Sequence, residues 1–373
     1  MPPSSPNDQR LFGPDLIRAT AIICVMLSHT IPGLTRFAIV GPIRGALGFI
    51  GVEIFFVLSG YLIGGILLRQ MCEGALDSVL GLASFWKRRW FRTLPNYYLF
   101  LILFLLLGRC VDGTLPTDSW SFFWFGQALI SPHPKFFTVA WSLAVEEWFY
   151  FSFPLLLWLM MKTFRGRMVS FWITVVFFLS FPPVMRAFAT FDNGFEGLAK
   201  VTLFRLDSIM FGVILAFLHK HQPRYWSLLR RAWPLGVPGA IGVSWLICAS
   251  NGMEFSFLCR AFFFSIVSLS LSLIFPRVVG ISRPQGALSA LVSRISIWSY
   301  SMYLCHTWLG QLFVTLFSYE GWSIHGANAV VLSALDWFAT LTISALVYSY
   351  FEKPLMDFRE RPLHWPIIPC RSH

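Results

Sequence analysis

The sequence predicts an all-α polytopic membrane protein with about ten transmembrane helices and both termini cytoplasmic. Three observations carry that reading. Apolar stretches of near-spanning length recur along the 373 residues, of which 56% are hydrophobic, at a mean hydropathy of +0.65. Charged residues make up only 13%, where a soluble domain carries about 25%. Lys and Arg also gather in alternate connections, the pattern by which short cytoplasmic loops are recognised.

The first apolar segment, 15–35, opens on Asp15 and shows no small-x-small cleavage pattern. It is therefore expected to span rather than to be removed as a leader. Further spans are expected at 47–68, 94–110, 138–161, 168–186, 201–218, 233–250, 261–275, 295–318 and 327–351. Several are at or below the roughly 20 residues a crossing needs, which predicts tilted or broken helices. Segment 120–137 is too short to cross and holds Pro132 and Pro134, so a re-entrant or interfacial piece is expected near 120-137. The connections 69–93, 162–167, 219–232 and 276–294, with both tails, carry about twenty Lys and Arg, against about seven on the other side. That asymmetry places those connections and both termini in the cytoplasm. No internal repeat, low-complexity tract or second soluble domain is evident, so 1-373 reads as a single transmembrane domain in a lipid bilayer.

The net charge of +11 sits mostly in short loops, where it reports topology and not a nucleic-acid partner. The seven cysteines are scattered. Cys24, Cys110, Cys248 and Cys305 are expected as small buried hydrophobes, with neither a disulfide framework nor a metal-ligand spacing. Oligomeric state has no signal in the sequence.

Arg18 and His29 lie within the first apolar segment. Eleven residues are about three helical turns, so both fall on one face, roughly 16 Å apart. Ionisable groups in a span are costly and mark a functional hypothesis. With the topology above, His29 lies about 9 Å from the outer end of its span, and Glu53 is at similar depth. Glu146 and Glu147 lie about 12–13 Å deep, and Arg205 and Asp207 begin the sixth span from the outer side. Any one of them reads more simply as half of an ion pair between helices. Four spans converging on one layer point to a site. His306 follows Tyr300 and Tyr303 on roughly one helical face, open to a cavity-lining or a structural reading. Glu352 and Lys353 close the last span, where a capping or anchoring role is expected.

The second constellation is SFWKRRWFRTLPNYY, residues 84–98. Composition alone favours a membrane anchor with an aromatic belt. The functional reading is a phosphate cradle, because guanidinium forks at Arg88, Arg89 and Arg92 can bind phosphate oxygens bidentately.

These segments together resemble the acyltransferase-3 family of integral-membrane acyltransferases. DLIRATAIICVMLSH looks like the family's opening motif, GVEIFFVLSGYLI at 51–63 like its second, and FWKRRWFRTLPNYY like its Arg-x-x-Arg element at Arg89 and Arg92. WSLAVEEWFY at 141–150 looks like its WSLxxEE element. LFRLDSIMFG at 203–212, SYSMYLCH at 299–306 and SYFEKP at 349–354 are weaker echoes. The resemblance runs from Asp15 to Pro354. Trp148 stands where the family commonly has Gln, and Ala144 where it often has Ser. Neither is an acid–base group, so the departures bear on acceptor contacts. Only about twenty residues follow the EKP element, so the SGNH-type domain of some relatives is not expected, and the reaction is expected to be completed within the membrane domain.

The resemblance implies O-acyl transfer, acetyl in the first instance, from cytosolic acyl-CoA to a hydroxyl of a cell-surface or lipid-linked saccharide, in a bacterial-type inner membrane. A hydroxyl attacking a thioester needs a base for its proton and donors for the developing oxyanion. His29 suits the base, with Glu53 as its orienting acid. Arg18 would meet the pantetheine arm or phosphates, and Arg88, Arg89 and Arg92 the nucleotide end. Trp141, Ser142, Glu146 and Glu147 would shape the acceptor side, with Arg205, Asp207 and His306 as further substrate contacts. No metal is implied. A secondary transporter or flippase of a saccharide or small polar solute is the alternative, since intramembrane charges and broken helices fit it too. An inverted repeat, which would favour it, is not found.

Overall fold

Backbone amides in an apolar surround need partners, and a helix supplies them within one segment. The chain answers with helices alone. The computed structural model describes residues 11–30, 40–113, 115, 118–189, 194–249, 257–322 and 326–359, and no strand occurs among the described residues. The helices are α1 (Phe12–His29), α2 (Val40–Cys72), α3 (Val79–Asp112), α4 (Ala140–Thr163), α5 (Arg167–Ala187), α6 (Gly194–Ala199), α7 (Leu206–His221), α8 (Pro223–Arg231), α9 (Trp233–Ala249), α10 (Phe257–Val279), α11 (Ala287–Tyr319), α12 (Ala327–Val347) and α13 (Lys353–Arg359). A helix falls on each of the ten segments drawn from sequence. Six described stretches are long and apolar enough to cross a membrane: Ile43–Cys72, Val79–Val111, Ala140–Thr163, Arg167–Ala187, Phe257–Val279 and Ala327–Phe358. Both chain tails and the side chain of Cys248 lie outside the described residues.

Two boundaries differ from expectation in ways that matter. The basic stretch 84–98 is not a connection ahead of a span. It lies inside α3, which starts fifteen residues earlier than the span drawn at 94 and runs through Pro95. Ser78 caps that early start, its Oγ accepting from the Gly81 amide at 3.1 Å. Helix α2 likewise continues to Cys72 and carries Arg69 in its last turn. Polar residues at helical spacing continue these helices past their apolar parts, which a hydropathy boundary truncates.

Segment 120–137 contains a 3-10 turn, Ser119–Trp124, followed by irregular chain with Phe125 and Phe137 at φ 59° and 46°. Its carbonyls are taken up by side chains of neighbouring helices. Tyr97 Oη donates to the Phe122 carbonyl (2.9 Å), Tyr98 Oη to that of Phe123 (2.7 Å) and Trp148 Nε1 to that of Phe125 (3.0 Å). The Thr202 amide donates to the Ala128 carbonyl at 2.7 Å. Irregular backbone persists in an apolar surround when protein groups satisfy it in this way.

Helix α1 packs among α2, α10 and α11, and α2 packs along α7. Small residues make the second crossing close. Gly60 and Gly64 are spaced as a small-xxx-small pair, and a Cβ on Gly60 would collide with the Ile209 carbonyl, one on Gly212 with the Val57 carbonyl. Glycine at such positions lets two helix backbones approach. Among the cysteines, Cys305 is buried and Cys24 half-buried, but Cys110 is exposed near the end of α3, contrary to its expected burial.

The α2–α7 crossing yields a direct test. Gly60→Ala or Gly212→Ala forces backbone apart and should lower the unfolding temperature of detergent-solubilised protein by several degrees. Gly65→Ala, whose Cβ meets nothing within 4 Å, should leave it unchanged. Equal unfolding temperatures for Gly60→Ala and Gly65→Ala would show that this contact is not tight.

Candidate functional site

Three helical stripes face one another. On α2 the stripe is Phe55, Phe56, Ser59, Leu62, Ile63, Ile66, Arg69 and Gln70, on α3 it is Arg88, Arg89, Arg92 and Thr93, and on α11 it is Ser296, Ser299, Tyr300 and Tyr303. Each repeats at three and four residues, the spacing of one helical face. They enclose an inner cavity of about 130 Å³, to which Arg18, Ser142, Glu146 and Glu352 also contribute. A wider vestibule of about 630 Å³ is lined by Arg69, Gln70, Glu73, Arg88, Arg89 and Arg92. The two spaces share Ile63, Ile66, Arg89 and Arg92 and so adjoin.

Within the inner cavity the polar groups hold one another. Ser59 Oγ donates to Glu146 Oε1 at 2.6 Å, and Arg89 Nη2 lies 3.7 Å from Glu146 Oε2. The Arg89 guanidinium also sits 3.9 Å from the centre of the Tyr150 ring, a favourable cation–π placement. Arg18 Nη1 donates to Ser296 Oγ (3.3 Å), and Ser296 donates to Asp15 Oδ1 (2.8 Å). Ser142 Oγ and Tyr303 Oη are 2.5 Å apart, and Tyr303 Oη donates to the Val139 carbonyl at 3.2 Å.

Beyond Tyr303 lie two imidazoles. The Tyr303 and His306 ring centres are 5.9 Å apart, and those of His306 and His29 are 5.0 Å apart, edge to face at 70°. His29 Nδ1 is 3.0 Å from the Val25 carbonyl and from Ser28 Oγ, and His306 Nδ1 is 3.0 Å from the Met302 carbonyl. A carbonyl only accepts, so these contacts assign the proton to Nδ1 and leave the lone pair at Nε2 in each neutral ring. His306 is 3% exposed and its Nε2 has no partner among the described residues, whereas His29 is exposed. Arg44 donates through Nε and Nη2 to the Ser28 carbonyl (3.1 and 2.9 Å) and so places a cation at the C-terminal end of α1, where the helix dipole favours one.

The structure thus brings Arg18, Arg89, Arg92, Ser142 and Glu146 to one cavity, Arg88 to its vestibule, and His29 beside His306 behind Tyr303. It places the other expected residues elsewhere. Glu53 does not reach His29. Its carboxylate pairs with Arg205 and accepts from Ser268 Oγ at 2.8 Å, with both ionic side chains fully buried. Depth along a helix had matched Glu53 to His29, but depth says nothing of the direction in which a side chain leaves its helix. Arg205 also donates to the Ala199 carbonyl (3.0 Å) and lies 4.0 Å from the Phe264 ring centre. Asp207 takes a two-pronged contact from Arg186, 2.9 Å on each arm, and a hydrogen bond from Ser265 Oγ at 2.6 Å. Arg205 and Asp207 therefore expose nothing for a substrate to touch. Trp141 is buried edge-on to Phe56, 6.0 Å between ring centres. Glu147, adjacent to Glu146 in sequence, leaves α4 in another direction and lines a separate space of about 310 Å³ with Trp90, Tyr98, Phe123 and Trp148.

Sequence reasoning missed Arg69, Ser59 and Glu352. Arg69 was findable, since it continues the Ser59, Ile63, Ile66 stripe at helical spacing. Glu352 is no surface cap. It is 6% exposed and forms part of the inner cavity wall.

Comparison with known proteins agrees with the cavity-bearing region being the matched one. The profile of the acyltransferase domain family matches residues 11–351. Proteins of Staphylococcus aureus strains COL and MSSA476, named provisionally as O-acetyltransferases, are 25% identical over 398 aligned residues, covering 95% of this chain and 58% of theirs. The O-acetyltransferase OatA of S. aureus is 31% identical over 213 residues, covering 50% of this chain and 34% of OatA. The chain thus spans 58% of the length of the first of these relatives. No solved structure matches the chain at a significant level.

The Glu53–Arg205 pair predicts an asymmetric mutational response. Glu53→Gln strands a buried guanidinium and should cost about 3–5 kcal/mol. Glu53→Leu/Arg205→Met removes both charges and should recover most of that stability. Thermal unfolding in detergent reads both. Wild-type stability in Glu53→Gln would show that the pair carries no such strain.

Proposed function

The chain belongs to the acyltransferase-3 family, and from that premise we propose that it is a membrane-bound O-acyltransferase moving an acyl group, expected to be acetyl, from cytosolic acyl-CoA to a hydroxyl of a cell-surface or lipid-linked saccharide. The observation that carries the reading is a four-arginine vestibule adjoining an inner cavity whose Tyr303 wall is in ring contact with His306, which in turn packs on His29.

The residues fit the two ends of such a donor differently. Arg69, Arg88, Arg89 and Arg92 line the wide space, and guanidinium groups suit the phosphates of a nucleotide. The inner cavity is too small for a nucleotide and admits a slender chain. In this reading α3 presents Arg88, Arg89 and Arg92 at the cytosolic side, ten helices cross, and both termini are cytoplasmic. Fusions of a topology reporter after residues 115 and 322 should then report the outside, and one after residue 165 the inside. Reversed signals would invert the sidedness.

The chemistry is assigned to the histidine end. His29 Nε2, with its lone pair free while Nδ1 is held by Val25, takes the acceptor hydroxyl's proton as the oxygen attacks the thioester carbonyl. The C–S bond breaks, and the proton passes to the departing thiolate to give free CoA and the O-acyl ester. His306, packed edge-to-face, holds the His29 ring in its plane and lends its own Nε2 to the same space. Ser142 and Tyr303, whose hydroxyls meet at the cavity wall, are assigned to steady developing negative charge. Glu53, Arg205 and Asp207 act as scaffold in this reading, not as chemical groups. Glu147 and its aromatic surround stand apart, as a place where an acceptor's polar and apolar faces could both be met.

Acyl-CoA binding and acyl transfer should separate by mutation. Arg89→Ala/Arg92→Ala should weaken acetyl-CoA binding, with a smaller difference from wild type at high salt, where phosphate contacts are already screened. His29→Ala should abolish transfer with acetyl-CoA binding nearly intact, because an interaction needed only in the transition state shows in turnover alone. Folded His29→Ala protein turning over at near wild-type rate would remove the base assignment. Unchanged affinity in the double arginine variant would return the α3 cluster to a membrane anchor.

A further inference from the structure

Trp158 stands near the C-terminal end of α4, and its Nε1 is a buried atom with no hydrogen-bond partner among the described residues. An indole nitrogen only donates, and a buried donor left unmet is costly. The position therefore calls for an acceptor.

The indole lines a space of about 370 Å³ at the junction of α4 and α5, apart from the cavity and vestibule described above. The charged side chains around that space are Asp77, Lys162, Arg165 and Arg167. Three cations thus face one carboxylate, and that carboxylate is engaged. Arg167 Nη2 donates to Asp77 Oδ2 at 2.6 Å, and Lys162 Nζ donates to the Asp77 carbonyl at 2.9 Å. Arg167 Nη1 also donates to the Cys72 carbonyl at 3.3 Å. These contacts hold the two cations in place beside the Trp158 ring, with Lys162 Nζ 5.7 Å from its centre. Helix α5 starts at the same junction, with Gly166 as its N-cap and no acidic residue in its first turn. The open amides of a helix start carry partial positive charge and add to the preference for an anion.

The other side of the space is apolar, formed by Leu76, Met161 and Phe164. Leu159, Phe164, Met168 and Val169 are exposed next to it, on and between two helices long and apolar enough to cross a membrane. In a bilayer such a surface meets lipid tails. A free anion would use the donors and leave the apolar rim unmet. A phosphate head with hydrocarbon chains uses both, and basic pockets between membrane helices are suited to phospholipid head groups.

We propose that the α4–α5 junction is a binding site for an anionic phospholipid, whose phosphate accepts a hydrogen bond from Trp158 Nε1 while Lys162, Arg165 and Arg167 balance its charge. The 3-10 turn Ala75–Asp77 links this site to the vestibule. Leu76 and Asp77 line the lipid site, and Glu73 and Ala75 line the vestibule. A lipid seated here bears on the turn that walls the vestibule. The assignment stands or falls independently of acyl transfer.

Equilibrium binding of radiolabelled dioleoylphosphatidylglycerol and dioleoylphosphatidylcholine to the full chain purified in detergent tests it. Wild type should bind the anionic lipid several-fold more tightly than the zwitterionic one. Trp158→Phe keeps an aromatic ring and removes the N–H. It should weaken phosphatidylglycerol binding about tenfold, the factor for a hydrogen bond to a charged acceptor. Arg165→Gln should weaken it several-fold. Arg224→Gln removes an exposed cation from α8, outside this space, and should leave it unchanged. Equal affinity of wild type for the two lipids overturns the proposal whether or not the variants fold. Wild-type affinity in Trp158→Phe overturns it too, as do equal losses in Arg165→Gln and Arg224→Gln, which would mark unspecific attraction. Inorganic phosphate binding as tightly as phosphatidylglycerol would make this a free-anion site and overturn the lipid assignment.

Discussion

Glu53 and Arg205 are both fully buried, and taking either charge from water alone costs several kcal/mol. Their pairing fixes α2 at one azimuth against the start of α7, where Gly60 and Gly212 then bring the two backbones together. A fixed azimuth for α2 also fixes where its opposite stripe points. Ser59, Ile63, Ile66 and Arg69 can wall the cavity and vestibule because the ion pair and the glycine crossing hold the rest of the helix against α7 and α10. The neighbouring Arg186–Asp207 pair does the same for α5 and α7, so two buried pairs stand behind one open face.

Charges in this bundle divide into two kinds by what surrounds them. Glu53, Arg205, Asp207 and Arg186 are buried against helix carbonyls, serines and each other, and they line neither the inner cavity nor the vestibule. Arg89, Glu146 and Glu352 also have protein partners in Tyr150, Ser59 and Ser301, but they line the inner space. A buried ion pair inside an apolar bundle fixes position. A group held in place at a cavity wall can meet a ligand from where it stands, which is what preorganisation requires. The α3 arginines gain from the same logic. On a helix, Arg88, Arg89 and Arg92 fall at i, i+1 and i+4, so Arg88 and Arg92 share a face and Arg89 flanks it. A loop would have to order them on binding.

The helical class and a helix on each long apolar run were legible, because such runs have few other ways to satisfy their backbone, whereas the short helices α6, α8 and α13 were not. That Arg18 and His29 turn toward one neighbour was legible too, since α1 is unbroken between them and helical phase follows from spacing alone, and both meet α11, at Ser296 and His306. Helix ends were not, because hydropathy falls off where α2 and α3 continue as polar, cavity-facing helix. Long-range partners were the least legible. Glu53 and His29 are matched in depth by the sequence alone, yet Gly51 packs at Ala21 and Val25 and only Gly48 at Ser28. Glu53 leaves its helix toward Arg205 while His29 leaves toward His306, and a single sequence holds no azimuth between helices. Glu146 and Glu147 make the same point within two residues: adjacent positions on a helix are about 100° apart and so open into different spaces. Glu352 escaped for a further reason: Tyr348–Glu352 is a π turn, which shifts helical phase, and nothing in SYFEKP announces it.

His306 shows how the geometry separates readings that spacing left even. A histidine kept only for packing would be expected to satisfy both ring nitrogens, since a buried unmet acceptor costs about 1–3 kcal/mol. His306 satisfies Nδ1 through the Met302 carbonyl, yet its Nε2 is buried without a partner among the described residues, beside a second imidazole held in the same tautomer. Replacing it by a phenyl ring would keep the edge-to-face contact and remove that cost. The fold thus retains a ring nitrogen that packing does not need, one ring contact from the exposed His29 and one from the Tyr303 wall of the cavity. In the proposed reaction that nitrogen would sit between the Tyr303 wall of the inner cavity and the exposed His29, the two sides from which a thioester and a hydroxyl are to meet.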